Sequence, residues 1–273
     1  METQDGTQLV VRLAHPDNRA ELAGGLFWHD LLSAVGVPVP EVIAADVHAP
    51  QPYMVLQRLA GNDLGNIFDE LNNDDLNHVA TTVADCQART ARLAPANGYG
   101  YAVNYTTPLR RTWIQVLQQS VANSAGRIES ARVVDPRLSD LVAAHLSELD
   151  ASFNDITPTA FLHDATTKNV IVHAGAVTGI VDTDEMAFGD PLWTAALTRT
   201  SLLAANRSTH YVDRLVDAMG IPDRGRMNLY TAIFALDFLS ELGHQFNRAQ
   251  TPTASSDEIE HLTTILTDSI HAL

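Results

Sequence analysis

A change of hydrophobic period near Gly61 is the feature that most constrains the fold of this 273-residue chain. Before it, short apolar runs dominate. Leu9 to Leu13 reads as a strand entered through Asp5-Gly6, a dipeptide suited to a hairpin turn, and Tyr53 to Leu56 reads as a second strand. Between them Leu22, Leu26, Leu31, Leu32 and Val35 recur at helical spacing, and that helix ends at Gly36 before Pro38 and Pro40 stiffen the chain ahead of Val42-Ile43. After Gly61 the spacing predicts helices near Asp74 to Leu93, Pro108 to Arg127, Pro136 to Phe153, Leu192 to Ala205, His210 to Met219, Arg224 to Phe246 and Asp257 to Leu273. The expectation is an α+β protein, strand-rich at its start and helical afterwards.

One insertion breaks the helical part. Ala160-Phe161-Leu162, Val170-Ile171-Val172 and Gly179-Ile180-Val181 are three β-like runs, expected to form one small ribbon among helices. Asn97 to Asn104 reads as a loop and its Gly-Tyr-Gly as a plain surface turn, because no strand precedes it and no Gly-Lys-Ser/Thr comes after it. Thr251 to Ser256 reads as a linker, with Ser255 or Ser256 capping the last helix.

Composition narrows the function classes. With 45% hydrophobic residues the chain can build a core, and the excess of 33 acidic over 17 basic residues gives a net charge of -16. That charge repels phosphate backbones and anionic lipid, so neither nucleic acid nor a membrane is an expected partner. No apolar run approaches the length of a membrane helix, and the first twenty residues lack the pattern of an export signal. The single cysteine, Cys86, cannot form an internal disulfide, which fits a cytoplasmic location, and its amphipathic surroundings suit a core residue better than a nucleophile. The histidines show no HExxH and no paired Cys/His spacing, so no zinc site is expected, and there is no Gly-x-Ser-x-Gly elbow. Nothing in the sequence speaks to oligomeric state.

The informative polar residues lie within the β-like insertion. Leu162-His163-Asp164-Ala165-Thr166-Thr167-Lys168-Asn169 separates two of the runs, and Asp182-Thr183-Asp184 comes after the third. Such an arrangement lets Asn169 and Asp182 offer two hard oxygen ligands suited to Mg²⁺, which is held by one or two carboxylates plus substrate phosphates. Asp164 is then free to orient or deprotonate a hydroxyl. Taken singly, Asp and Asn are ordinary loop residues, and Asp184, Glu185 and the lone lysine, Lys168, each suit a solvated surface as well as a site.

Asp-x-x-x-x-Asn followed by an apolar-apolar-Asp resembles the catalytic-loop and metal-loop pair of the protein-kinase-like superfamily, and Gly189-Asp190-Pro191 then comes as in the aminoglycoside phosphotransferase and choline kinase-like family. The resemblance extends to Leu9 to Leu13, with Arg12 as the base that contacts the nucleotide phosphates, to the Gly36-Val-Pro-Val-Pro40 turn, and to Tyr53 to Gly61 as the strand and hinge that hold adenine. It implies a bilobal kinase-like fold, with residues 1–59 as the nucleotide-binding lobe and 60–273 as the helical lobe carrying the catalytic and metal loops and the acceptor site. It also implies ATP or GTP and Mg²⁺ as cofactors, Asp164 as the catalytic residue, Asn169 and Asp182 as metal ligands, and Arg12, Gln57 and Leu59 as nucleotide contacts. The partner would be a small-molecule acceptor such as an aminoglycoside, a choline-like amine or a sugar. The acidic balance favours a cationic one, with Asp237 and Glu241 as candidate contacts. Asp190 is read as a brace for the helix opened by Pro191.

The chain departs from that pattern in three places. Leu162 replaces the histidine of the family's His-Gly-Asp and His163 replaces its glycine. Met1 falls just before the second hairpin strand, so the first strand and its glycine-rich loop are expected to be lacking. The position of the helix glutamate that pairs with the phosphate-binding base falls near Gly25, with Glu21 one turn earlier. These departures define an alternative, a kinase-fold binding protein without efficient transfer. A metal-dependent hydrolase using His163, Asp164 and Asp182 is a weaker third reading.

Overall fold

β1 (Leu9–Leu13), β2 (Val42–Asp46) and β3 (Tyr53–Gln57) form an antiparallel sheet in the order β1-β3-β2 in the computed structural model, which describes residues 8–244 and 255–273. β3 is central and buries Met54, while the flanking strands leave Val10, Leu13 and Ile43 partly open. The Asp5-Gly6 turn lies outside the described residues. Val42-Ile43, just past the two prolines, opens a third strand. α1 (Arg19–Ala34) buries Leu22, Trp28 and Leu32, and the Trp28 indole donates to the Ala102 carbonyl at 2.7 Å, tying this part of the chain to the region beyond Gly61. Gly36, at φ +82°, takes the left-handed conformation that ends the helix without a Cβ clash.

After a short β4 (Asn62–Asp63) and α2 (Leu64–Ile67), α3 (Asn73–Thr90) is capped by Asn72, whose side chain accepts from the Asp74 and Asp75 amides. The stretch Asn97 to Asn104 is not a plain loop: Gly100–Ala102 forms β5. Gly98 serves close backbone approach, since a Cβ there would lie 2.5 Å from the Arg110 carbonyl, whereas Gly100 supplies a backbone at φ +120°. α4 (Trp113–Ala131) starts later than Pro108, and α5 (Arg137–Glu148) gives way to a tight 3-10 turn over Asp150–Phe153.

The three β-like runs of the insertion do not make one ribbon. β7 (Val170–His173) and β8 (Ala176–Ile180) form a hairpin flanked by β4, whereas β6 (Ala160–Phe161) pairs with β9 (Met186–Phe188) in a separate sheet of order β5-β9-β6. The chain therefore crosses between these two small sheets twice, through residues 162–169 and again through 181–185. That double crossing brings two loops, neither of them an ordinary hairpin tip, into one place. The Gly36-to-Pro40 segment docks against it, with the Ile180 amide donating to the Pro38 carbonyl at 2.7 Å. Gly179 permits this approach, because a Cβ there would sit 2.9 Å from that carbonyl.

α6 (Leu192–Ala204), α7 (His210–Met219), α8 (Arg224–Glu241) and α9 (Ser256–His271) complete the helical part. α8 is the core helix, with Tyr230, Ile233 and Leu236 fully buried; it ends at Glu241, short of the expected Phe246, because Leu242 leaves the helical conformation and Gly243, at φ +84°, turns the chain, while residues 245 and 246 lie outside the described residues. Ser255 caps α9 by accepting from the Glu258 amide. Among the described residues no helix is long and apolar enough to cross a membrane.

Asp190 is the structural brace expected from Gly-Asp-Pro. It is 2% exposed and accepts from the Leu192 amide, the Tyr230 hydroxyl and the Arg226 guanidinium at 3.0, 2.9 and 2.7 Å. Burial raises its carboxyl, and the Arg226 charge and these donors work against that. Replacing Asp190 by Ala leaves the Leu192 amide and the Tyr230 hydroxyl without their acceptor and removes one of the two carboxylates paired with the partly buried Arg226, which keeps Asp223, so we expect a loss of about 1–3 kcal/mol in chemical denaturation. A loss within ~0.5 kcal/mol, typical of an exposed site, would contradict this role.

Candidate functional site

Between the β1-β3-β2 sheet and the double crossing lies a cleft of about 490 Å³. Val10, Met54 and Leu56 line its upper side and Ile171 its lower side, making an apolar slot; Arg12, Asn169, Asp182 and Asp184 supply polar groups at its base. Gln57 and Leu59 stand at its rim. Five of the six residues expected to form the site therefore share this cleft. The sixth, Asp164, lies just behind it, in a small recess it shares with His163 and Asp182.

The loop geometry is set by hydrogen bonds on both crossings. The Asn169 side-chain amide donates to the Asp164 carbonyl at 2.9 Å, a bond that leaves its side-chain oxygen unused, and the Asn169 carbonyl accepts from the Val181 amide at 2.9 Å. The second bond sets the two loops side by side. Asp164 accepts from the Thr166 hydroxyl at 3.3 Å. Asp182 adopts φ +61°, a left-handed backbone that costs a non-glycine residue about 1 kcal/mol or more. Burial raises its carboxyl, Arg12 opposes that, and the charges of Asp184 and Asp164 reinforce it.

Support of the 162–169 loop comes from a residue that sequence reasoning missed. Gln87, buried on α3, donates to the Leu162 carbonyl and accepts from the Leu162 amide, both at 2.9 Å, and the Thr194 hydroxyl adds a bond to the same carbonyl at 2.8 Å. Leu162 itself is buried, so its side chain contributes packing while its backbone is held by others. A polar residue on the apolar face of α3, beside Val83 and Ala84, was the available signal. His163 packs edge-on against Tyr101 at 5.0 Å and is hydrogen-bonded to the backbone of Glu185, a further tie between the loops. Burial lowers its pKa, and the charges of Asp164 and Asp182 oppose that.

Other candidates sit elsewhere. Lys168 points to a separate cavity beside Glu241 and His261, away from the cleft. Asp237 is engaged by Arg127 and by Ser124, which donates at 3.1 Å. Arg12 is not an open cation: it bonds both oxygens of Asp184 at 2.7 and 2.5 Å and reaches Asp182 at 3.4 Å.

Asn169 and Asp182 form a donor set of one amide oxygen and one carboxylate. Among the described residues no group of three or more His, Cys, Asp or Glu could cage an ion. Two hard oxygens facing a cleft fit an Mg²⁺ whose remaining ligands are water and phosphate, and they do not fit a closed protein cage.

A profile of the phosphotransferase enzyme family matches residues 1–230. The chain belongs to that family. Its structure resembles a thermostable mutant of aminoglycoside phosphotransferase APH(4)-Ia in its apo form, with a TM-score of 0.68 at 20% identity over 99% of this chain and 89% of the other. It also resembles a mutant aminoglycoside 2'-phosphotransferase-IIIa in complex with GDP (TM-score 0.65, 15% identity, 96% and 84% covered) and the streptomycin-ATP-APH(2")-IIa ternary complex (TM-score 0.63, 12% identity, 97% and 85% covered). At these identities the likeness establishes the kinase-like fold. Among curated protein sequences none matches significantly.

Gln87→Leu leaves the Leu162 amide buried without its partner and takes one of two donors from its carbonyl. The expected cost is about 1–3 kcal/mol in urea denaturation. Asp182→Gly relieves the left-handed strain, so its melting temperature should equal or exceed that of the wild type; a clear fall would show that the Asp182 side chain stabilises the fold.

Proposed function

We propose that this phosphotransferase moves the γ-phosphate of ATP or GTP to a hydroxyl of a small molecule, in an Mg²⁺-dependent reaction within the cleft. The observation that carries this reading is the convergence of Asn169, Asp182 and Arg12 at the base of an apolar slot, with Asp164 immediately behind. The slot between Val10, Leu56 and Ile171 has the shape and polarity for a purine. The Gln57 and Arg58 amides are committed to Glu41 and Gln8, at 2.8 and 3.1 Å, so the backbone donor offered to the base is the Leu59 amide.

Phosphoryl transfer asks little covalent work of a protein and much positioning and charge. Asn169 and Asp182 would hold Mg²⁺, whose charge, when bound, offsets that of the phosphate oxygens. Arg12 would contact the α- and β-phosphates. Asp164 would accept a hydrogen bond from the acceptor hydroxyl, align it for in-line attack and take its proton. The brace of Gln87 and Thr194 fixes where Asp164 stands.

The acceptor side adjoins Asp164, and its electrostatics favour a cation. Burial raises the Tyr101 phenol, the hydrogen bond it accepts from the Trp193 indole at 2.7 Å opposes that, and the charges of Asp237, Glu185 and Asp164 add to the rise. Glu185 is itself raised by burial and by the charges of Glu21 and Asp184. Such a surface suits an amine-bearing alcohol. A thermostable variant of APH(4)-Ia is seen with AMP-PNP and hygromycin B together, which supports a nucleotide and an aminoglycoside-like acceptor sharing this fold.

Asp164→Ala should abolish ADP release in the presence of an amino-alcohol or aminoglycoside acceptor while leaving nucleotide affinity nearly intact. Unaltered turnover would remove Asp164 from the reaction. Nucleotide binding by the wild type without ADP release, across amine and sugar acceptors, would favour the alternative of a binding protein that does not transfer.

A further inference from the structure

We propose that Asp184 is a positioning residue for Arg12, and that Gly25 provides the space from which Asp184 acts. The inference rests on the reading of Arg12 as a phosphate contact. Arg12 lies on β1 and Asp184 in the 181–185 loop, yet the guanidinium and the carboxylate meet in a two-pronged pair at 2.7 and 2.5 Å. The planar fork of arginine fits a carboxylate in this way and becomes fixed in direction as well as place. Both side chains are largely covered, at 31% and 23% exposure, so the pair is shielded from the screening that weakens surface pairs.

The helix above the pair is shaped around it. Gly24 and Gly25 sit in the interior of α1, where glycine is unfavourable relative to alanine. A Cβ on Gly24 would lie 2.8 Å from the Asp184 carbonyl and 2.9 Å from the Val103 Cβ, and a Cβ on Gly25 would strike the Asp184 carboxylate oxygen that Arg12 bonds. Only a helix bare at both positions lets the loop approach. Asp184 thus fills the volume of a missing side chain on α1, while the charge of Glu21, one turn earlier, acts on Glu185. The same guanidinium reaches Asp182 at 3.4 Å, so the pair presents Arg12 at the edge of the proposed metal site before any phosphate arrives. A long flexible side chain already held in its working direction has less freedom to lose on binding.

Calorimetric affinities for Mg-ATP and for adenosine test this in the wild type, Asp184→Asn, Gly25→Ala, Arg12→Ala and the double variant Arg12→Ala/Asp184→Asn. Gly25→Ala keeps both charges and displaces the Asp184 carboxylate; because Gly25 also borders the cleft, the adenosine affinity reports whether the slot itself has changed, and each single variant serves if the other does not fold. Asp184→Asn and Gly25→Ala are each expected to weaken Mg-ATP about tenfold while leaving adenosine unchanged. In the Arg12→Ala background, Asp184→Asn should change Mg-ATP affinity by less than about twofold, as expected of a residue acting through its partner. Mg-ATP binding that is unchanged or tighter in the folded single variants would overturn the proposal, as would equal losses for adenosine or the full loss without Arg12. A wild type that binds no Mg-ATP would instead refute the reading of the cleft on which the proposal rests.

Discussion

The backbone of Leu162 is where the helical part of the molecule takes hold of the 162–169 loop that carries Asp164 and Asn169. One buried amide side chain, Gln87, satisfies both its donor and its acceptor, and Thr194 adds a second bond to the carbonyl. Everything chemical is tied to that anchor through a short series of bonds. Asp164 stands two positions later, Asn169 closes the same loop onto the Asp164 carbonyl, and the Asn169 carbonyl receives the Val181 amide that brings Asp182 alongside. Buried hydrogen bonds of this kind are costly to leave half-made, so they specify one loop geometry rather than several.

Family likeness at the level of motifs made the fold and most of the site legible in the sequence. Asp164, Asn169 and Asp182 fall on loops at fixed spacing, and the two strands and the helical segments obey their hydrophobic periods. What the sequence obscured is tertiary. Two-residue β6 has no period to read, so its partnership with β9 rather than with β7 is decided by burial, and the expected single ribbon becomes two sheets. Gly98 and Gly100 look like turn residues, but Gly98 lets the Arg110 backbone approach closely and Gly100 provides a positive φ at the start of β5. Gln87 is an ordinary helix residue until its partner 75 positions away is known. Asp184 reads equally as a solvated hairpin edge or a further carboxylate of the site, and only the structure shows Arg12 beside it.

The cleft combines two compromises. Asp182 holds a left-handed backbone, and α1 carries two glycines where a stable helix would prefer alanine. Each is a local disadvantage placed where β1 and α1 meet the helical part of the chain, and each leaves a charged group facing the same small volume. Arg12 balances part of that negative charge in the structure as it stands. Phosphate and metal together would redistribute it, with the cation on Asp182 and the guanidinium on phosphate oxygen.

The central claim is that Asn169 and Asp182 form a metal-assisted nucleotide site, and the most direct measurement is ATP affinity with and without Mg²⁺ in the wild type and in Asp182→Ala. Mg²⁺ is expected to strengthen binding to the wild type and to have little effect on the variant, while the metal-free affinities of the two remain similar. An Mg²⁺ dependence that survives intact in a folded Asp182→Ala protein would contradict the claim.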